Sequence, residues 1–216
     1  MFTRNDHPNA AAGPVRVSRS LEVDAIRGRD CETVFELRVK RPFDIALSLC
    51  ALFLLVPALA LIAVLVLASG PGPVICSQPR YGRNRKLFRM YRFWTLGGRV
   101  TRIGGFLRRT GLDELPQFVN VLKGDMSIVG PRPYAPFTLI DGKPYETVVA
   151  DFEGRHAIRP GITSLARISG RRGPLPPAAA AIERFRDDLA YVRQQSLWLD
   201  FRIIAVSLWR GFLTGT

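Results

Sequence analysis

Apolar positions are distributed unevenly along this chain. From Ile45 to Ala68 almost every residue is apolar, Ser48 is the single hydroxyl and nothing is charged. As a helix rising about 1.5 Å per residue, the run reaches roughly 36 Å, enough to cross a hydrocarbon core of about 30 Å. Pro57 stands at its middle, where it removes a backbone donor and crowds the preceding turn, so a kink or break is expected. Each half is then about 18 Å long, too short to span alone. Arg38, Lys40 and Arg41 precede the run, and Arg80, Arg83, Arg85, Lys86 and Arg89 follow it. Basic residues favour the cytoplasmic side, so both ends are expected there. A single crossing cannot meet that demand, whereas a re-entrant helix-break-helix meets it, provided the backbone groups freed at Pro57 find internal partners.

Elsewhere the periods are shorter. Residues 1–36 mix Gly, Pro, Asn, Asp and Arg with no apolar period and are expected to be a flexible N-terminal tail. They carry no signal-peptide pattern. The Ser-Gly-Pro-Gly-Pro run at 69–73 ends the apolar segment. Residues 74–77 and 86–91 are expected to be two strands around a turn at 81–84. Ile103, Phe106 and Leu107 have helical spacing, and Leu112, Leu115, Val119 and Leu122 suggest a further helix that tolerates Pro116 only in its first turn. After a breaker at 173–177, residues 178–195 carry Ile182, Phe185, Leu189 and Val192 on one face, with Asp187 and Asp188 expected in solvent. Residues 197–212 are apolar and aromatic with Trp198 and Trp209 near their ends, which suits either an interfacial helix or a final core helix.

Charge narrows the function classes. The chain of 216 residues has a net charge of +13, so its partners are expected to be anionic: nucleic acid, anionic lipid, or nucleotide and phosphorylated substrates. No nucleic-acid-binding module is recognisable. Cys31, Cys50 and Cys76 are widely spaced, and only His7 and His156 offer imidazoles, which argues against a zinc site or a disulfide framework. His156 has no metal or triad companion and is expected to be a surface or packing residue.

Candidate chemistry concentrates in residues 108–133, RRTGLDELPQFVNVLKGDMSIVGPRP, where Asp113 and Glu114 stand among basic and glycine-rich neighbours. Two readings of the pair are compatible. Thr110-x-x-Asp113 resembles a capping box, and acids at a helix start are favoured by about 0.3 to 1 kcal/mol. The same location attracts phosphate through backbone amides and arginines. Pro131 and Pro133 restrain the backbone on both sides of Arg132, and Pro160 does so beside Arg159; a restrained guanidinium suits bidentate phosphate binding.

Several motifs in order then resemble the bacterial sugar transferases, the monotopic polyprenyl-phosphate phosphoglycosyl transferases. They are KRPFD at 40–44, LDELPQFVNVLKGDMSIVGPRP at 112–133, RPGIT at 159–163 and D-x-x-YV at 188–192 followed by SLWLD. The resemblance runs from about Val39 to about Arg210 and implies transfer of a sugar-1-phosphate from a UDP-sugar to polyprenyl phosphate, with release of UMP and with magnesium (Mg2+). By position, Asp113 matches the family's nucleophile, which forms a covalent phosphosugar intermediate and is expected to contact the metal; Glu114 matches its dyad partner. Arg108, Arg132 and Arg159 match phosphate-binding arginines, Arg92 a basic position usually held by lysine, and Asp188 a further acid that the family requires. Pro57 matches the proline that breaks a re-entrant helix.

The fold expected from pattern and resemblance together is α+β and mostly helical: a re-entrant membrane helix-break-helix, a small β-hairpin, a helical catalytic domain and interfacial amphipathic helices. Its segments are a tail at 1–36, an anchor at 37–72 broken at Pro57, and a catalytic domain at 73–216 with a C-terminal interfacial helix. The expected partners are the UDP-sugar, polyprenyl phosphate and the lipid bilayer, with no nucleic acid and an oligomeric state left open. The expected place is the cytoplasmic face of the bacterial inner membrane. The alternative is a non-catalytic, membrane-tethered basic module that binds anionic lipid or nucleic acid. The chain also departs from the family pattern: Trp94 replaces a basic residue, the chain is short between Leu96 and Arg99, residues 164–167 read Ser-Leu-Ala-Arg for the usual Gly-Trp-Ala-Gln, and no glutamate follows the PRP motif at Tyr134 or Ala135. These changes are expected to bear on substrate choice more than on the reaction.

Overall fold

The computed structural model describes residues 36–97, 99–149, 151–170 and 178–214. The expected tail, apart from Glu36, and the breaker at 173–177 lie outside the described residues. The fold is α+β, built on one long apolar helix and four small two-stranded sheets among the described residues.

A π-helical turn, Glu36–Lys40, leads into α1, Arg41–Ala68, with Pro42 in its first turn where no donor is needed. The expected break at Pro57 is corrected: helix runs unbroken through it. Proline deletes a single i→i−4 donor there, and leucine and alanine, strong helix formers, surround it. The 28 residues reach about 42 Å. Asp44 and Ser48 are buried in the first half and Ile62 and Val66 in the second, while Phe53, 80% exposed, and Leu54 stand free between them. Both ends of α1 therefore rest on the same body of protein. Leu47 packs on a core formed by Met90, Val121, Met126, Ile128, Tyr191 and Ile203, and Ile62 and Val66 pack with Phe93 and Leu107.

Strands β1, Ile75–Tyr81, and β2, Leu87–Phe93, form the expected hairpin, longer than its sequence pattern suggested, with Cys76 opposite Arg92 and Tyr81 opposite Leu87. The short pair β3, Leu96–Gly97, and β4, Arg99–Val100, leads to α2, Arg102–Thr110. Thr101 caps α2 by accepting from the Gly104 amide, and Gly111 ends it in the left-handed region. The expected capping box at Thr110 does not form, because Thr110 Oγ1 donates back to the Phe106 carbonyl inside α2. Asp113 and Glu114 lie instead in a 3-10 turn, Leu112–Glu114, and Pro116 becomes the cap of α3, Gln117–Lys123.

β5, Ser127–Val129, pairs in parallel with β8, Gly161–Thr163. Between them lie β6, Leu139–Ile140, β7, Lys143–Pro144, and α4, Tyr145–Val148, over a core of Tyr134, Tyr145, Phe152 and Phe185. The short α5, Leu165–Ile168, precedes α6, Ala178–Gln194, and α7, Leu197–Thr214. Phe185 and Val192 of α6 are buried as its period predicts. Asp188 is not in solvent as expected: it is 1% exposed. Trp198, Phe201, Leu208 and Trp209 of α7 remain exposed, whereas Ile203 is wholly buried, so α7 serves the core on one side and presents aromatics on the other.

Candidate active site

The parallel pair and the hairpin bring the separated motifs together. Asn120 of α3, wholly buried, stitches that helix to β2: its Oδ1 accepts from the Tyr91 amide at 2.9 Å and its Nδ2 donates to the Arg89 carbonyl at 2.7 Å. This sets Arg92 against the acidic pair. Arg92 Nη2 lies 3.5 Å from Asp113 Oδ2 and pairs closely with Glu114 Oε1. Arg167 Nη1 takes the other Glu114 oxygen at 2.7 Å. Glu114 is thus held between two guanidiniums, while Asp113 has Arg92 at 3.5 Å and the charge of Arg108 farther off.

Their charges respond accordingly. Burial works against ionising Glu114, but Arg167, Arg92 and Arg132 outweigh it and hold its carboxyl below the usual range. Burial pushes Asp113 up, Arg92 and Arg108 oppose this, and the Glu114 charge adds to it.

A cavity of about 190 Å³ opens beside the pair. Arg80, Arg92, Arg132 and Arg184 line it with Glu114, Gln117, Tyr134 and Gly161. Arg80 is held below its ordinary value by burial and then by repulsion from Arg92 and Arg132. The Nε groups of Arg80, Arg92 and Arg167 are buried with no hydrogen-bond partner among the described residues. Crowded cations with unmet donors make a receptor for a multiply charged anion.

The structure sorts the residues expected at the site. Arg92, Glu114 and Arg132 line the cavity, with Asp113 buried against Arg92. Arg108 is exposed in the last turn of α2, its charge acting on Asp113. Arg159 is not on the cavity wall: its Nε donates to the Gly124 carbonyl at 2.9 Å beyond α3, next to Arg41, which donates to the Val121 and Leu122 carbonyls. Asp188 is also off the wall, paired with Arg155 at 2.8 Å. Pro57 lies in α1, away from this chemistry. Arg80, Arg184, Asn120 and Arg167 were missed. Arg167 had a signal, since it stands where the family pattern has an uncharged residue, and in the structure it meets Glu114.

No group of three or more His, Cys, Asp or Glu side chains poised to hold a metal occurs among the described residues. Glu114 has both oxygens committed to arginines. Asp113 alone fits the mode in which magnesium is held by one carboxylate together with phosphate oxygens of a substrate.

A carboxylate pair thus sits at an arginine-lined cavity, on a body that carries one helix long and apolar enough to cross a membrane. The chain belongs to the bacterial sugar transferase family, whose model matches residues 35–214. It is 43% identical to the exopolysaccharide production protein PSS of Rhizobium leguminosarum bv. phaseoli, over 78% of this chain and 92% of that protein. It is 40% identical to the UDP-glucose:undecaprenyl-phosphate glucose-1-phosphate transferase of Escherichia coli, over 81% of this chain but 40% of that one. To the UDP-N-acetylgalactosamine-undecaprenyl-phosphate N-acetylgalactosaminephosphotransferase of Aeromonas hydrophila it is 35% identical, over 82% of this chain and 44% of that protein. Against those two named transferases the chain spans less than half of their length.

Proposed function

We propose that this chain transfers a sugar-1-phosphate from a UDP-sugar to polyprenyl phosphate through a phosphosugar carried on Asp113. The observation that carries this reading is the Asp113–Glu114 pair beside a cavity lined by Arg80 and Arg92, whose Nε donors are unmet among the described residues. An Asp113 carboxylate oxygen attacks the phosphorus that bears the sugar, and the bond to UMP breaks. A phosphate oxygen of the lipid then attacks the same phosphorus, and the Asp113 carboxylate leaves. Arg80, Arg92 and Arg132 neutralise the diphosphate, which would otherwise repel a carboxylate nucleophile. Glu114, locked between Arg92 and Arg167, holds those two guanidiniums in place. Asp113 would hold magnesium, which would supply further neutralisation of charge on the phosphoryl oxygens.

The anchor reading is re-entrant, with α1 bent rather than broken at Pro57 and the catalytic domain on the cytoplasmic face of the bacterial inner membrane. Both ends of α1 rest on one body while its middle stays exposed and apolar, and both flanks are basic. Exposed Trp198 and Trp209 suit α7 to the membrane interface.

The test is UMP release from UDP-sugars by protein in nanodiscs containing polyprenyl phosphate. Asp113→Asn is expected to lower turnover by at least about a thousandfold; unchanged turnover removes Asp113 as nucleophile. Chelation of magnesium is expected to suppress wild-type turnover, and full activity in a chelator removes the metal.

A further inference from the structure

We propose that Asp188 and Tyr191, one turn apart on α6, form a brace that sets Arg132 for phosphate binding and ties that setting to the seating of the membrane helix α1. The proposal rests on the function put forward above.

The two residues hold opposite ends of the segment from Val129 to Arg132. At one end Asp188 pairs with Arg155 at 2.8 Å, and Arg155 Nη2 donates to the Arg132 carbonyl at 2.5 Å. The same guanidinium lies 4.3 Å from the centroid of the Tyr134 ring, which lines the cavity. At the other end the Tyr191 hydroxyl shares its single proton between Asp200 Oδ1 at 2.6 Å and the Val129 carbonyl at 3.2 Å. Asp200 Oδ2 accepts from Lys40 Nζ at 2.6 Å, at the entry to α1. Lys40, Arg155, Asp188, Tyr191 and Asp200 are all at most 2% exposed, and none lines the cavity. They reach a substrate only through other residues.

The braced segment has little freedom of its own. Pro131 and Pro133 restrict the backbone around Arg132, and a Cβ on Gly130 would lie 2.5 Å from the Arg159 carbonyl oxygen. Displacing either end therefore moves the Arg132 guanidinium. Buried ion pairs add little net stability over well-packed apolar residues, so a network spanning α1, α6, α7 and the Arg132 loop is better explained by the geometry it specifies.

The experiment measures UDP binding by calorimetry and donor kinetics of UMP release with the full chain in nanodiscs, for Tyr191→Phe and Asp188→Asn, each alone and combined with Arg132→Ala. Each single change is expected to weaken UDP binding and raise the donor KM about tenfold with a smaller effect on kcat. That loss is expected to vanish in the Arg132→Ala background, because residues acting through one partner do not add. Should Asp188→Asn fail to fold, Tyr191→Phe, which keeps its ring in the core, decides alone. Losses that add in full with Arg132→Ala overturn the brace, as does a lowered Tm with unchanged UDP affinity and KM. A wild-type protein that neither binds UDP nor releases UMP overturns the functional reading and the brace together, whereas wild-type activity with additive losses overturns the brace alone.

Discussion

Asp113 and Glu114 are adjacent in sequence and opposite in electrostatic environment, and the difference assigns their roles. Glu114 is kept ionised by Arg167 and Arg92. Asp113, raised by burial, is the more basic and less encumbered oxygen donor. A carboxyl raised in the folded state lends stability at low pH that is lost as pH rises through its folded pKa. Asp113→Asn should therefore keep or raise the Tm at pH 7 while abolishing turnover, a combination that thermal unfolding beside the UMP assay reads directly. Arg167→Gln removes one of the two cations on Glu114. We expect it to cost about 1.5 to 3 kcal/mol in denaturant unfolding, the worth of a hydrogen bond to a charged group, and to reduce kcat/KM about tenfold. His156 shows the reverse sign. Burial, and then Arg155, hold its pKa at about 4, with Nδ1 against the Phe152 carbonyl at 3.0 Å. Its neutral form stabilises the fold above its unfolded pKa, and that contribution drains as pH falls from about 6.5 toward 4, by roughly 3 kcal/mol in all. His156→Asn should flatten the acid limb of a Tm-against-pH profile; an unchanged limb would place the sensitivity elsewhere.

At the scale of elements, the parallel pair of β5 and β8 depends on two glycines that let the strands meet. A Cβ on Gly161 would lie 2.1 Å from the Gly130 amide nitrogen, so Gly161→Ala must push apart the backbone that carries Arg132. We expect a loss of about 3 kcal/mol of stability, read as a lowered Cm, and a matching loss of UDP binding; a variant as stable as wild type would mean that the strands separate at no cost. The elements themselves were largely legible in the sequence. The hairpin, α2, α6 and the long apolar helix follow from period, breaker and composition, because local patterns reflect burial of one face or of all faces. The capping box was not legible as false, since Thr110 and Asp113 have the right spacing and only the turn at Gly111 separates them. Nor was the burial of Asp188 legible: it stands beside the apolar stripe of α6, and the cation that lets it be buried, Arg155, is distant in sequence.

For the whole molecule, the proposed re-entrant path of α1 predicts that both of its flanks lie on one side of the membrane. Cysteines placed at Arg38 and at Pro71, both exposed, in a protein whose own cysteines are replaced, should both be labelled by an impermeant thiol reagent from the cytoplasmic side. Labelling from opposite sides would establish a spanning helix. The sequence by itself determined what is local or additive: the apolar run, the excess of positive charge, the order of motifs and the acidic pair. It also carried the family, because the motif at 112–133 is long and specific. Only the tertiary structure decided which arginines serve the cavity and which serve the frame. Arg132 and Arg159 each stand directly before a proline in the sequence, yet one lines the cavity and the other donates to the carbonyl of Gly124. A guanidinium's role is set by the acceptor it meets, and that acceptor is supplied by chain folded in from far away.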